Sequence, residues 1–293
     1  MSNLKEVRNR IASVKSTKQI TSAMKMVSAA KLRKAQNAVL TMRPYAQKLQ
    51  EIMQSLSTSM EDSSESVFSK QRTQKRVLLV VITSNRGLCS AFNINVVKEA
   101  IHLLDTDLAD LHENKAVDLM CLGKKGYDLF KSKGYTITKY NQEIFNELNF
   151  KNATAIAEQL MDDFKEGSYD RIILIYNQFK NAAVQILKTE DFLPVKEQKT
   201  KESTPVQADF IFEPDKEEIL KELIPKTLKI QLYKALLDSF AAEHGARMTA
   251  MHQATENATE LLKDLNLSYN KARQAAITNE ILEIVSGAEA LKG

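Results

Sequence analysis

The sequence predicts a mixed α/β domain carried between two very long terminal helices that make one rod. Two observations lead to this. Residues 226–292 contain no proline and only two glycines, Gly245 and Gly287, and are rich in Ala, Leu, Met, Gln, Glu, Lys and Arg, the residues that lose least on entering a helix. An unbroken helix of that length runs on the order of 100 Å and is marginal without a partner along it. Residues 3–57 are the matching candidate at the other end of the chain. The second observation is the middle, where short β-branched runs alternate with helical stretches, the pattern of a largely parallel sheet.

Composition narrows the class. The chain has 293 residues, 43% hydrophobic and 6% aromatic, with no Trp, 8 Gly and 5 Pro, which suits a mostly helical chain with slender packing. The segment MSNLKEVRNR has no apolar core of the signal-peptide kind, and the longest apolar run, 77–82, is too short to span a bilayer. A soluble chain, in the cytoplasm or on the cytoplasmic face of something, is therefore expected. The two cysteines, Cys89 and Cys121, make no disulfide framework and read as buried thiols. Charge is lopsided: residues 1–50 hold eleven Lys/Arg against the single acid Glu6, in a chain whose net charge is only +4. A helix so basic wants an acidic surface, a nucleic acid or an anionic membrane nearby.

Each element follows in order. Leu4, Val7, Ile11 and Val14 step by three and four. The series resumes at Thr21, Met24, Val27 or Ser28, then Ala35, Val39, Met42, Leu49, Ile52 and Leu56: a coiled-coil-like seam diluted by Lys18, Thr21 and Ser28. Small Ala23, Ala29 and Ala30 permit close approach of another backbone. Pro44 is expected to kink or interrupt the helix, and the serine-rich run 55–66 to end it.

In the middle, 76–83 reads as a strand covered on both faces. A turn, Ser84-Asn85-Arg86-Gly87, leads to a helix over 92–112. Then come a strand at 117–122, a helix at 124–133, a strand at 135–140, a helix at 152–166 and a strand at 171–178. The apolar stretch 183–187 follows so soon that a hairpin and an antiparallel edge strand are expected. Residues 194–207 read as a loop and 209–214 as a last short strand. The long C-terminal helix starts near 215, with Pro225 bending it or marking its true start.

Sites of chemistry are sparse. The strand–turn–helix around 85–89 has the form of a phosphate cradle but lacks both the GxGxxG and the GxxxxGK[ST] patterns. With Gly87 as its only glycine, a structural turn is the simpler reading. His102, His112, His244 and His252 show no metal-ligand spacing, and His244 and His252 lie too far apart on one helix to share an ion. Cys89 has no evident base beside it. Glu280 and Glu283, three apart on a helix, read as a solvated face. Catalytic, cofactor-binding and metal residues are therefore all expected to be absent. Lys31-Leu-Arg-Lys34 suggests phosphate contacts, but a serine linker stands where a DNA-binding basic region carries its zipper. Met24 and Met26 are either a plastic recognition patch or core.

Several stretches together identify a resemblance. The run from Arg10 to Val27 (RIASVKSTKQITSAMKMV), Ala30-Lys-Leu-Arg-Lys34 and Arg43-Pro-Tyr-Ala46 closely resemble the γ-subunit family of F-type ATP synthases. So do Ala246-Arg-Met-Thr-Ala-Met251 and Tyr269-Asn-Lys-Ala-Arg-Gln-Ala275. The family's most specific signature matches Ile277-Thr278-Asn279-Glu280 through Glu283 to Gly287-Ala288. Thr83-Ser84-Asn85-Arg86-Gly87-Leu88-Cys89 looks like the family's turn, with Ser90-Ala91 in place of paired glycines and Phe92 in place of Leu. No cysteine-bearing insertion of the plant chloroplast type is visible, and the sequence looks bacterial.

The resemblance implies an antiparallel, left-handed coiled coil of the N- and C-terminal helices with a central Rossmann-like α/β domain. Its parts would be a first shaft helix over 1–58, a linker over 59–75, the α/β domain over 76–208 and a second shaft helix over 209–293. It implies a non-catalytic rotor shaft, without cofactor, that transmits torque between a membrane ring of c subunits and a hexamer of α and β subunits. The ε subunit is a further partner, nucleic acid is not, and the place is peripheral, on the cytoplasmic face of the bacterial inner membrane. By position, Arg273, Gln274, Thr278 and Glu280 match residues that engage the β subunit. Lys18, Gln19, Met24 and Lys25 match the opposing shaft surface, and Arg247 a further shaft position. Phe212 and Glu213 match the foot that meets the c ring and ε. The competing readings are an α/β enzyme binding a nucleotide, with helical dimerisation arms, and a nucleic-acid binder using the basic helix.

Overall fold

A computed structural model describes residues 4–58, 67–68, 72–195 and 216–290. The elements run α1 (Leu4–Thr58), β1 (Val77–Ile82), α2 (Phe92–Asp105), α3 (Ala109–Glu113), β2 (Val117–Leu122) and α4 (Lys124–Ser132). They continue with β3 (Lys139–Asn141), α5 (Phe150–Lys165), β4 (Arg171–Phe179), β5 (Gln185–Leu193) and α6 (Lys216–Ala290). Chain contacts divide them into two compact units, residues 1–29 with 247–293, and residues 30–246. Helices α1 and α6 each contribute to both. The expected strand at 209–214 and most of the 194–207 loop lie outside the described residues.

In the 30–246 unit the strand order is β3-β2-β1-β4-β5. The first four strands are parallel and β5 pairs antiparallel with β4. This bears out the parallel sheet and its antiparallel edge. Alternation along each strand feeds two cores. Leu78, Val80 and Ile82 of β1 and Ile172, Leu174 and Tyr176 of β4 face one layer, where α5 supplies Ala157, Leu160 and Phe164. Helix α6 adds Ile224, Leu228, Leu232 and Leu236 there, at near-helical spacing on one face. Val77, Leu79 and Val81 of β1, with Ile173 and Ile175, face the other layer under α2 and α4 through Val96, Val97, Leu104 and Phe130. Each buried Val, Leu, Ile or Phe among them contributes about 1.5–3 kcal/mol.

Ionic contacts tie the amino ends of the strands. Arg76 Nη2 donates to Asp118 at 2.8 Å, Thr138 Oγ1 donates to the other Asp118 oxygen at 2.7 Å, and Lys139 pairs with Asp163. The Arg76 and Lys139 cations both lie over the Tyr169 ring. Burial and then the Asp118 carboxylate push the Tyr169 hydroxyl up to about 12. At the opposite edge Arg171 Nε donates to Asp191 at 2.7 Å.

Several expectations change. The helix over 92–112 is two, because the chain turns at 106–108 to bury Leu108 and the Thr106 hydroxyl bonds back to the His102 carbonyl. The strand at 135–140 shrinks to Lys139–Asn141, because only Met120, Cys121 and Leu122 of β2 pair with it. Tyr135 and Ile137 pack against the α2–α4 core instead. The edge strand begins at Gln185 rather than 183 and extends to Leu193. Pro44 and Pro225 both lie inside continuous helices, so Pro44 does not interrupt α1 and Pro225 does not begin α6.

Candidate partner-contact surface

The unit of residues 1–29 with 247–293 is a pair of helical segments, one from each end of the chain. Along α1 covered positions recur at Leu4, Val7, Ile11, Val14, Lys18, Thr21, Lys25 and Ser28, an alternation of three and four, with Ser22, Met24 and Ala29 half-buried beside it. Along α6 they recur at Met251, Thr255, Ala258, Leu262, Leu265, Tyr269, Ala272 and Ala276, with the same alternation, and Ala254 is half-buried beside them. That spacing is a coiled-coil seam and imposes left-handed winding. Two contacts fix the direction: Lys25 Nζ donates to His252 Nδ1 at 3.2 Å, and Thr255 Oγ1 donates to Thr21 Oγ1 at 2.8 Å. One partner number rises as the other falls, so the helices are antiparallel. Between Val27 and Ser28 the seam takes Ser28, leaving Val27 57% exposed.

The residues matched to partner contacts fall in two patches. Lys18 and Gln19 line an open groove with Ile11, Lys15, Ser22, Ala23, Met26, Leu262 and Asn266. Its walls carry two ammonium groups above an apolar floor. Met24 and Lys25 are half-buried beside it. Arg273, Gln274, Thr278 and Glu280 are exposed on the last turns of α6, and the Thr278 hydroxyl donates back to the Gln274 carbonyl at 3.0 Å. Along α6 they stand roughly 30 Å from the helix position facing Lys25. The chain itself does not bring the two patches together. Arg247 is buried at 5% exposure, packed rather than displayed. Phe212 and Glu213 lie outside the described residues.

Beyond Ala276 every described residue of α6 is exposed, including Ile277, Ile281, Leu282, Ile284 and Val285, with Ile284 at 71%. An apolar helix end of this kind marks a surface that is covered in use. The basic residues Lys5, Arg8, Arg10, Lys15, Lys31, Arg33 and Lys34 of α1 are exposed as well.

The turn after β1 is tied to the start of α4. The amides that open α4 are already bound: Lys124 N to Asn85 Oδ1 at 3.0 Å, Lys125 N to the Ser84 carbonyl at 2.9 Å, and Gly126 N to Thr83 Oγ1 at 2.8 Å. Behind them Asn93 accepts from the Ser84 amide at 2.9 Å and donates to Ser84 Oγ and Cys89 Sγ. Asn177 of β4 donates to the Phe92 carbonyl at 3.1 Å. The β1–β4 crevice, where ligands bind in open α/β sheets, is thus filled by the chain's own polar groups. Cys89 is buried there in hydrogen bonds. Burial in the sheet pushes the Cys121 thiol from its ordinary 9.0 up to about 12. Among the described residues no three His, Cys, Asp or Glu side chains converge on a point. His112 stacks on Tyr135, His244 sits edge-on to Phe240, and His252 lies between Lys25 and Glu256.

Sequence reasoning missed Thr255 as a seam residue, His252 at the seam's exposed edge, and Leu32, which is buried on α1. The three-four alternation from Met251 to Ala276 was the available signal.

The family profile described as ATP synthase matches residues 3–291. Chains named "ATP synthase gamma chain" from Flavobacterium psychrophilum and Flavobacterium johnsoniae are 60% and 59% identical to this one over the whole length of both chains. Among solved structures, the central stalk/c-ring of the Tetrahymena thermophila mitochondrial ATP synthase matches at 28% identity and a TM-score of 0.56. That match covers 80% of this chain and 99% of the other. A chain of the Euglena gracilis mitochondrial ATP synthase (OSCP/F1/c-ring) shares the fold at a TM-score of 0.70 and 24% identity, covering 98% and 94%.

Proposed function

Because the chain belongs to the ATP synthase gamma-chain family, we propose that it is the central shaft of an F-type ATP synthase, a non-catalytic rotor subunit of the F1 sector. It couples rotation of a membrane c ring to the nucleotide sites of a hexamer of α and β subunits, with ε as a further partner. The observation that carries the mechanical part is the antiparallel pairing of the two chain ends, continued past Ala276 by α6 alone. A two-helix rod is not rotationally symmetric, so each β subunit meets a different face. Every orientation therefore stabilises a different combination of open and closed sites, a population shift driven by rotation.

Lys18, Gln19, Met24 and Lys25, and separately Arg273, Gln274, Thr278 and Glu280, are the residues we assign to β contacts. The exposed basic face of α1 suits acidic loops on that partner. Arg247, being buried, belongs to the packed part of α6 in this assignment. Phe212 and Glu213 are assigned to the foot facing the c ring and ε. The location that follows is peripheral, on the cytoplasmic face of a bacterial inner membrane. No described helix is long and apolar enough to cross a membrane. The domain division proposed with it is a shaft of 1–58 and 209–293, a linker of 59–75 and an α/β domain of 76–208.

The test is reconstitution. The lone chain turns over no ATP, and adding it to α and β subunits raises their ATPase activity. Cysteines placed at Lys18 and at Arg273 cross-link to the C-terminal region of β. An intact hexamer with no β cross-link from either position overturns the contact assignment, and turnover by the lone chain overturns the rotor reading. DNA affinity that persists once α and β are bound, falling with salt, would turn the basic helix to nucleic acid instead.

A further inference from the structure

The seam between α1 and α6 is not uniformly apolar. Val7, Ile11 and Val14 face a stretch containing Leu262, Leu265 and Ala272, but the next two heptads of α1 carry Lys18, Thr21, Lys25 and Ser28. Two cross-helix pairs occupy them. Thr255 Oγ1 donates to Thr21 Oγ1 at 2.8 Å, and Thr21 Oγ1 donates on to the Lys18 carbonyl at 3.1 Å. Lys25 Nζ donates to His252 Nδ1 at 3.2 Å, while His252 Nε2 faces Glu256 at 3.5 Å. Thr21 is buried and Lys25 half-buried, while His252 is exposed, so the threonine pair is enclosed and the Lys25–His252 pair bridges the seam at its solvent edge. Polar residues at seam positions choose between registers that apolar ones leave equivalent.

We propose that these two pairs form a register lock, which together excludes a one-heptad slip of the helices in either direction. The repeat itself shows why two are present. A slip that brings Thr255 to Val14 carries His252 from Lys25 to Lys18, so a Lys–His pair survives and only the threonine pair is lost. The opposite slip brings Thr255 to Ser28, so a hydroxyl pair survives, while Lys25 loses His252 and meets Thr259. Each pair blocks the slip that the other tolerates. This inference rests on the coiled coil alone and stands apart from the assignment of partners.

The test uses the purified full chain with cysteine pairs as register reporters, the disulfides being assigned by peptide mapping. Val14→Cys with Leu262→Cys reports the native register. Val7→Cys with Leu262→Cys reports the first slip, and Val14→Cys with Tyr269→Cys the second. Cys89 and Cys121 are buried and do not compete. With the native seam, only the first reporter oxidises readily. Thr21→Val with Thr255→Val, which keeps side-chain shape, raises the first-slip reporter at least about tenfold and leaves the second silent. Lys25→Leu with His252→Leu does the reverse. Thr21→Asn with Thr255→Asn restores the native pattern by supplying a new polar pair. Slip reporters that stay silent in both apolar variants, or that rise together in either one, overturn the lock. If the valine pair fails to fold, a silent second-slip reporter in the Lys25/His252 variant is enough to reject it.

Discussion

Cys121 lies on the α2–α4 side of β2, fully enclosed by the sheet. Burial raises its thiol from 9.0 to about 12, so below pH 9 both the folded and the unfolded chain hold the proton. Above pH 9 the unfolded chain ionises and the fold does not, so this contribution to stability falls between pH 9 and 12. Tyr169, raised from 10.0 to about 12, adds to the loss from pH 10 upward. Urea midpoints across that range should fall as pH rises, and Cys121→Ala should show a shallower fall with pH than the native chain. The same burial predicts that Cys121 reacts with a thiol reagent at pH 8 only after unfolding. Gly123 is the other sensitive residue. It sits at φ 111° where β2 turns into α4, and a Cβ there would stand 2.2 Å from the Thr83 carbonyl oxygen. Gly123→Ala is expected to cost about 3 kcal/mol in denaturant unfolding. Gly245 is milder: an added Cβ meets the Ala182 Cα at 3.2 Å, a contact that the hairpin can relieve by a small shift.

At the scale of elements, α6 does two unlike jobs along one helix. Its early turns supply a wall of the sheet core through Ile224, Leu228, Leu232 and Leu236, and its later turns supply a coiled-coil seam. Leu232→Ala should cost about 2–5 kcal/mol in equilibrium unfolding, with Leu282→Ala close to neutral because Leu282 is exposed. The strands were legible where burial on both faces forces a continuous apolar run, as in β1 and β4. The parallel pattern and the antiparallel edge followed from connection lengths. What could not be read was the cut between α2 and α3, made by the Thr106 back-bond and the burial of Leu108, since the apolar periodicity continues across it. The shortness of β3 depends on how little of β2 is left to pair, a tertiary fact. In the seam, the α1 positions were legible from Leu4 to Thr21, with Val27 or Ser28 left open. Met24 was read where Lys25 meets α6, because an apolar residue next to a lysine takes the seam position in a hydrophobic pattern. The patches we assign to partner contacts rest on resemblance alone, since lone charged residues on a helix carry no periodic signal.

For the whole molecule, the terminal turns of α6 are the clearest sign that the chain is built to be completed by others. Residues 277–290 leave Ile277, Ile281, Ile284 and Val285 in solvent. Ending the chain after Ala276 should leave the unfolding free energy within about 0.5 kcal/mol of the native chain, because nothing described is uncovered. On the proposed function, the same truncation should weaken coupling in the reconstituted complex, read as ATPase activity no longer matched by rotation-linked proton uptake. A large drop in the stability of the lone chain would show that the tail folds back on it.

Thr21 and its partner Thr255 are 234 residues apart in sequence. At ribosomal speeds the first helix emerges on the order of tens of seconds before the strand it must wind with. During that interval its seam has no mate, and a fully apolar stripe would recruit other nascent chains. The lysines and hydroxyls set into that stripe let the early half wait in water, so the residues that fix alignment in the finished rod also guard the unfinished one.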